Sequence, residues 1–208
     1  MSTMRKILVA GVGGQGIVYL TNIVVEAAMR TGTPVHVSEI HGLSQRGGTV
    51  TSGIGLGAHC TGFTGTALVD LLIGLEAMEA QRCMPLLHAG SRVVFSSDRI
   101  APHAVNTGVA HYPEADALAA HLAAHCHEGA HVRRFPEGLA PVLHNLHLLG
   151  VAATLSGFPF APQVMKDAIA AQVSPGMAER SLRAFELGMM HRTTSTGNGT
   201  TAGRTTNA

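Results

Sequence analysis

Ile7-Leu8-Val9-Ala10-Gly11-Val12-Gly13-Gly14-Gln15-Gly16-Ile17 is an apolar run broken by four glycines and followed by a second apolar run. The first run reads as a buried strand, and Ile17 to Arg30 reads as a helix with Val18, Ile23, Val24, Ala27 and Ala28 available for its inner face. Between them the glycines present backbone N–H groups, bare of Cβ atoms, at a helix N-terminus, where an anion is favoured. No charge stands between Lys6 and Glu26, which imitates a membrane span or a leader peptide. The glycines, Gln15, Thr21 and Asn22 interrupt the stretch, so strand, loop and helix is the better reading.

Outward from this unit the chain alternates. Thr31-Gly32-Thr33-Pro34 ends the helix with glycine and then proline. Val35-His36-Val37 begins a second strand that leads into Ser38-Glu39-Ile40-His41-Gly42-Leu43-Ser44-Gln45-Arg46-Gly47-Gly48. Strands are expected at Thr49 to Leu56, Ala67 to Ile73 and Arg92 to Phe95, with a short one at Val109 to Tyr112. Helices are expected at Glu76 to Leu87 and from Ala117 to His127. The final third is helical, over Pro141 to Gly157, Pro162 to Gln172 and Met177 to His191. The pattern indicates an α/β fold, a mostly parallel sheet with flanking helices and a helical C-terminal part. Residues 1–191 form one domain in this reading. Residues 192–208, rich in Ser, Thr, Gly and Asn, form a flexible tail.

Composition narrows the function. Charged residues are 13% and the net charge is +1, which leaves no electrostatic footprint for nucleic acid or an anionic membrane. So little charge on the surface suggests that other subunits cover much of it. Cys60, Cys83 and Cys126 lie far apart with no CxxC, against a disulfide framework, a zinc ribbon or a locally held iron–sulfur cluster. A reducing cytoplasm is the expected compartment. Cys83 and Cys126 sit in helix-like runs and are expected to be buried.

Each motif has more than one reading. Gly11, Gly13 and Gly16 satisfy GxGxxG, and Glu39 follows at roughly the ~20-residue spacing at which dinucleotide folds place a ribose-binding acid. An independent NAD(P)-binding protein or dehydrogenase is therefore the alternative. The glycines could equally serve close strand–helix packing. An ATP phosphate loop fails, because Ile17 and Val18 stand where Lys and Ser or Thr are required. Gln45-Arg46-Gly47-Gly48 sets a planar fork of donors beside a bare backbone, suited to phosphate, carboxylate or a subunit salt bridge. His121, His125, Cys126, His127 and His131 suggest a metal, but the thirteen histidines spread along the whole chain, and no metal site is expected. No Ser/His/Asp or Cys/His arrangement with supporting context is evident. His41 is the titratable residue between the loops, more simply a hydrogen-bonded loop residue than an acid or base.

Taken together, Gly11 to Gly16 and Ser38 to Gly48 resemble the gamma subunit or domain of 2-oxoacid:ferredoxin oxidoreductases, most closely the small subunit of the indolepyruvate enzymes. The similarity continues through Gly74-Leu75-Glu76-Ala77-Met78-Glu79-Ala80 and Asn145 to Gly157, and ends at Ser181 to Gly188. Ser181 stands where asparagine is usual, and the Thr/Gly-rich tail is not a family feature. The resemblance implies a Rossmann-like gamma-type domain. It also implies a hetero-oligomer that oxidatively decarboxylates a 2-oxoacid, such as indolepyruvate or phenylglyoxylate, with thiamine diphosphate and magnesium. The acyl group passes to coenzyme A, and electrons pass through iron–sulfur clusters to ferredoxin or another acceptor. This chain has no Gly-Asp pair with which a thiamine–magnesium motif starts, so it is expected to bind none of these cofactors alone and to be inactive in isolation. Gly13, Gly14, Gln15 and Gly16, with Ser44, Gln45, Arg46, Gly47 and Gly48, are the residues expected to touch coenzyme A or partner chains.

Overall fold

The computed structural model describes residues 4–42, 48–100, 105, 111–112 and 114–191. Six strands form one sheet in the order β2-β3-β1-β4-β5-β6. They are β1 (Lys6–Val12), β2 (Val35–His41), β3 (Thr49–Leu56), β4 (Val69–Gly74), β5 (Leu87–Ser96) and β6 (Glu128–Val132). β1, β4, β5 and β6 run parallel, while β3 runs antiparallel to both β1 and β2. The expected mostly parallel α/β sheet is present, with one reversed strand inside it.

The continuous apolar runs follow from cover on both faces. Ile7, Val9, Leu71, Ile73 and Val94 point to one core, shared with the helices α1 (Ile17–Arg30), α4 (His144–Ala152), α5 (Pro162–Gln172) and α6 (Pro175–Met189). Leu8, Ala10, Leu72, Val93 and Phe95 point to the other, under α2 (Ala77–Arg82) and α3 (Ala115–His125). α4 and α6 cross backbone to backbone. A Cβ on Gly188 would lie 2.0 Å from the His147 carbonyl oxygen, and one on Gly150 2.1 Å from that of Phe185.

Several expectations need correction. The helix expected over Glu76 to Leu87 ends at Arg82, and a 3-10 turn, Met84–Leu86, carries the chain into β5 at Leu87. Pro85 has no N–H to extend a helical ladder, which accounts for the early stop. The helix before the histidine-rich run ends at His125, because Cys126 is extended (φ −111°, ψ 160°) and leads into β6, a strand not anticipated. Pro141–Leu143 is a 3-10 turn, and α4 proper spans only His144–Ala152. His111 and Tyr112 are not in a strand; residues 109 and 110 of that expectation, and the tail at 192–208, lie outside the described residues. No helix among the described residues is long and apolar enough to cross a membrane.

Candidate functional site

The parallel strands β1, β4 and β5 end on the same side of the sheet, and their ends frame a cleft of about 720 Å³. Ligands of open α/β sheets bind outside the carboxyl ends of the strands for this reason. One wall is the glycine loop, Gly14 to Gly16, with Tyr19 of α1; Leu75 follows β4, and Asp98 and Ile100 follow β5. Pro141 to Asn145 and Leu148, with Met177 and Ser181 of α6, complete the lining together with Val173 and Ser174.

The loop is held by its own side chains. Gln15 Oε1 accepts from the Val12 N–H at 2.8 Å, and Gln15 Nε2 donates to the Leu75 carbonyl at 3.0 Å. The end of β1 is thereby tied to the end of β4, and the Gln15 amide is turned into the loop. Asn145 Nδ2 donates to the Gln15 carbonyl at 3.3 Å, fastening the loop to α4. Gly14 (φ 98°) and Gly16 (φ 79°) take left-handed backbone that favours glycine. Gly16 caps α1 with no side-chain hydrogen bond and no acidic residue in the first turn, so the positive end of the helix is left to whatever enters the cleft.

The two glycine loops meet. Gly13 N–H donates to the Gly48 carbonyl at 3.0 Å, and Gly42 N–H to the Thr49 carbonyl at 2.7 Å closes the base of the second loop. The Gly13 amide is thus engaged by protein. Gly48 is placed beside the first loop, whereas Ser44, Gln45, Arg46 and Gly47 lie outside the described residues. Glu39 and His41 are on β2, where His41 Nε2 and Glu39 Oε2 stand 3.2 Å apart on the exposed sheet edge. β3 separates β2 from β1, so Glu39 is a full strand away from the position at which a dinucleotide fold presents its ribose-binding acid. The geometry removes the support for the NAD(P) alternative.

Sequence reasoning missed the polar groups that enter from β5 and α4. His144 Nδ1 and Asp98 Oδ2 are 2.9 Å apart, and the imidazole stacks on Phe135 with ring centroids 3.6 Å apart. Behind them Glu76 is fully buried. It caps α2 by accepting from the Glu79 N–H at 2.9 Å, and it also accepts from the Ile100 N–H at 3.2 Å and from the Tyr112 hydroxyl. Burial, reinforced by Glu76, raises the Tyr112 phenol well above its ordinary range. Burial also pushes up the Tyr19 phenol, with a Ser181 hydrogen bond acting the other way.

Other candidates find plainer uses. His121 and His125 stack at 4.1 Å, and His125 Nδ1 lies 2.7 Å from the His121 carbonyl oxygen. His131 stacks on Phe95 and hydrogen-bonds Ser97 at 2.7 Å. Among the described residues no group of three His, Cys, Asp or Glu is placed to hold a metal. Cys83 is buried, and burial with nearby Glu79 pushes its thiol up to about 12; burial also raises Cys126, which is only half-buried. Neither thiol is an activated nucleophile.

This α/β fold opens a cleft at the ends of its parallel strands, edged by the glycine loop and by the Asp98–His144 pair. Residues 6–190 match the family model described as pyruvate ferredoxin/flavodoxin oxidoreductase, and the chain belongs to that family. Indolepyruvate oxidoreductase subunit IorB of Thermococcus kodakarensis is 33% identical over 190 residues, 88% of this chain and 94% of that protein. The subunit of the same name from Methanothermobacter thermautotrophicus is 31% identical over 186 residues, 88% of this chain and 95% of that one. The keto/oxoacid ferredoxin oxidoreductase gamma subunit of Geobacter sulfurreducens shares the fold, with TM-score 0.64 and 18% identity over 89% of this chain and 96% of that one. So does the 2-oxoglutarate:ferredoxin oxidoreductase of Magnetococcus marinus (TM-score 0.62, 16% identity), of which 31% is covered by 91% of this chain.

Proposed function

We propose that this chain is the smaller subunit of a cytoplasmic, hetero-oligomeric indolepyruvate:ferredoxin oxidoreductase. The observation that carries the substrate assignment is the match to indolepyruvate oxidoreductase subunits at 30–33% identity over 88% of the chain. The whole complex would convert an aryl 2-oxoacid and coenzyme A to an aryl acyl-coenzyme A and CO₂. Two electrons leave to ferredoxin or another acceptor, and one proton is released from the thiol.

The residues described do not fit the cofactors this reaction needs. Cys60, Cys83 and Cys126 stand apart as free thiols, and no cluster of metal-ligating side chains is found among the described residues. In this reading thiamine diphosphate, magnesium and iron–sulfur clusters would be carried by partner subunits. This chain would contribute the glycine-loop cleft, with Gly14 and Gly16 as main-chain contacts. Gly48 would serve at the junction, with Ser44, Gln45, Arg46 and Gly47 presented to coenzyme A or to the neighbouring subunit.

Co-expression with the thiamine-bearing subunit tests the reading. The pair should copurify, absorb in the visible region, and reduce an electron acceptor when given indolepyruvate and coenzyme A. The chain alone should be colourless and inactive. A chain that oxidises a 2-oxoacid unaided, or that fails to associate, refutes the assignment.

A further inference from the structure

We propose that two copies of this chain associate through the outer edge of β2, antiparallel about a two-fold axis at Ile40, so that two six-stranded sheets join into one. The proposal goes beyond the subunit reading and does not rest on it.

β2 is an edge strand whose main chain is open. Gly42 N–H donates to the Thr49 carbonyl and the Pro34 carbonyl accepts from Gly57 N–H, so the even-numbered residues turn their main-chain groups toward β3. These directions alternate along a strand of an antiparallel ladder. The N–H and C=O groups of Val35, Val37, Glu39 and His41 therefore point away from the sheet, and no described residue bonds them. Native sheets blunt such edges with short strands, bulges, Pro or Lys. The opposite edge follows that rule: β6 has five residues, and exposed Arg133 and Arg134 follow it directly. β2 instead has seven residues in unbroken register with β3, without Lys, Arg or Pro. Ile40 is 60% exposed and Val37 42%. Gly62 packs on the β2 main chain, where its Cβ would lie 2.2 Å from Ser38 N, and so brings Phe63, 72% exposed, to the same margin. An unprotected edge with an apolar margin is a surface for another strand.

The sequence of β2 is complementary to itself. Facing residues of an antiparallel pair lie on the same side of the sheet, so a two-fold axis must set one residue of β2 opposite its own copy. With the axis at Ile40, Ile40 faces Ile40, Glu39 faces His41 and Ser38 faces Gly42. Apolar meets apolar, acid meets imidazole and small meets small. Glu39 and His41 both turn their main chain outward, so each such pair exchanges two hydrogen bonds. Within one chain His41 Nε2 stands 3.2 Å from Glu39 Oε2. The dimer would alternate two carboxylates with two imidazoles, and each carboxylate needs one N–H, which a neutral imidazole has. Moving the axis to Glu39 sets two carboxylates face to face, which destabilises a sheet. Moving it to Ser38 puts Glu39 opposite Val37 and Ile40 opposite His36. The side-chain pattern thus selects the second copy and its register together.

Sedimentation velocity of the full chain over a series of concentrations should show a reversible monomer–dimer equilibrium. Ile40→Lys should weaken it at least tenfold and leave the melting transition in place, because Ile40 is exposed. Ile40→Cys gives a second reading. Facing residues of a non-hydrogen-bonded pair lie ~4.5 Å apart at Cα, within disulfide reach. Mild oxidation should therefore give a covalent dimer that neither Ser38→Cys nor the parent, with Cys60, Cys83 and Cys126, gives. A chain monomeric at every concentration, a dimer indifferent to Ile40→Lys, or crosslinking through Ser38→Cys in place of Ile40→Cys overturns the proposal. If Ile40→Lys leaves the chain's own state as it was but blocks copurification of the thiamine-bearing subunit, the edge belongs to that subunit and the second copy is refuted. Failure of the co-expressed pair to copurify, with the dimer of this chain intact, strikes the subunit assignment alone.

Discussion

Asn145 Nδ2 donates to the Gln15 carbonyl across 130 residues of sequence, and it also fills the space where a side chain on Gly16 would begin. A Cβ on Gly16 would lie 2.4 Å from Asn145 Nδ2, and Gly16 has φ 79°. The loop, its glycine and the first turn of α4 are therefore one mechanical unit.

Gly16→Ala should cost about 2–4 kcal/mol, from left-handed backbone at roughly 1–2 kcal/mol plus the contact with Asn145. Asn145→Ala removes that contact and the hydrogen bond, at about 1–2 kcal/mol alone. Chemical denaturation of the two single variants and the double variant closes a cycle, and the double should be less destabilised than the sum by about 1 kcal/mol. Strict additivity would show that the two residues do not share the space.

The α4–α6 crossing gives a sharper expectation. Gly188→Ala sets a methyl 2.0 Å from the His147 carbonyl oxygen, and backbone rather than a flexible side chain is what must move. Overpacking of a well-filled interior costs about 1–3 kcal/mol, and a contact with fixed backbone belongs at or above the upper end. A thermal melt should show the largest loss for Gly188→Ala and Gly150→Ala. Gly176→Ala, with open space around it, should melt close to the parent.

How far the sequence reaches follows from the range of the interactions. β1, its glycine loop and α1 are legible because strand, turn and helix signals lie within one contiguous stretch; the 3.6-residue pattern of α1 places Ile23, Val24, Ala27 and Ala28 inside as expected, whereas Val18, expected with them, is exposed. The insertion of β3 between β2 and β1 is not legible. Its β-branched run fits either direction, and only long-range pairing such as Ile7 opposite Ile54 decides it. That one reversal removes Glu39 from the dinucleotide position its spacing suggested. β6 escaped because it is a five-residue edge strand inside a histidine-rich run, with only Ala130 and Val132 buried. Asp98 and His144 carry no local signal at all, since a pair separated by 46 residues forms only when β5 and α4 meet. Pro85, by contrast, was a readable stop within the expected α2 helix.

Gln15 offers a test of loop order. Its amide satisfies the Val12 N–H and the Leu75 carbonyl, and the latter also accepts from Ser96 Oγ at 2.9 Å. Gln15→Leu therefore orphans the Val12 donor, while the Leu75 carbonyl still accepts from Ser96. The expected loss is about 1–3 kcal/mol, with hydrogen exchange at Val12 accelerated and exchange in α5 unchanged. An unaltered Val12 amide would mean that the side chain holds nothing.

His147 makes stability depend on pH. It is fully buried on α4, with neither ring nitrogen hydrogen-bonded, edge-on to Phe135 and His191 with centroids 5.4 Å away in each case. Burial, with the neighbouring His191 and His144, lowers its pKa from 6.5 to about 4. A folded pKa below the unfolded one means that the unfolded chain binds the proton first. The contribution is then fully present above pH 6.5, is lost as pH falls toward about 4, and levels off below that. The size is roughly 3 kcal/mol. Glu186, held low by Lys166, acts in the same direction at lower pH, while Glu79, raised by burial, acts oppositely. The comparison must therefore be between parent and His147→Leu. Urea denaturation at pH 7 and at pH 4.5 should show the gap between them shifting in favour of the variant at the lower pH, by about 2 kcal/mol or more. A gap that does not move with pH would mean that the imidazole is protonated, or reached by water, in the folded chain.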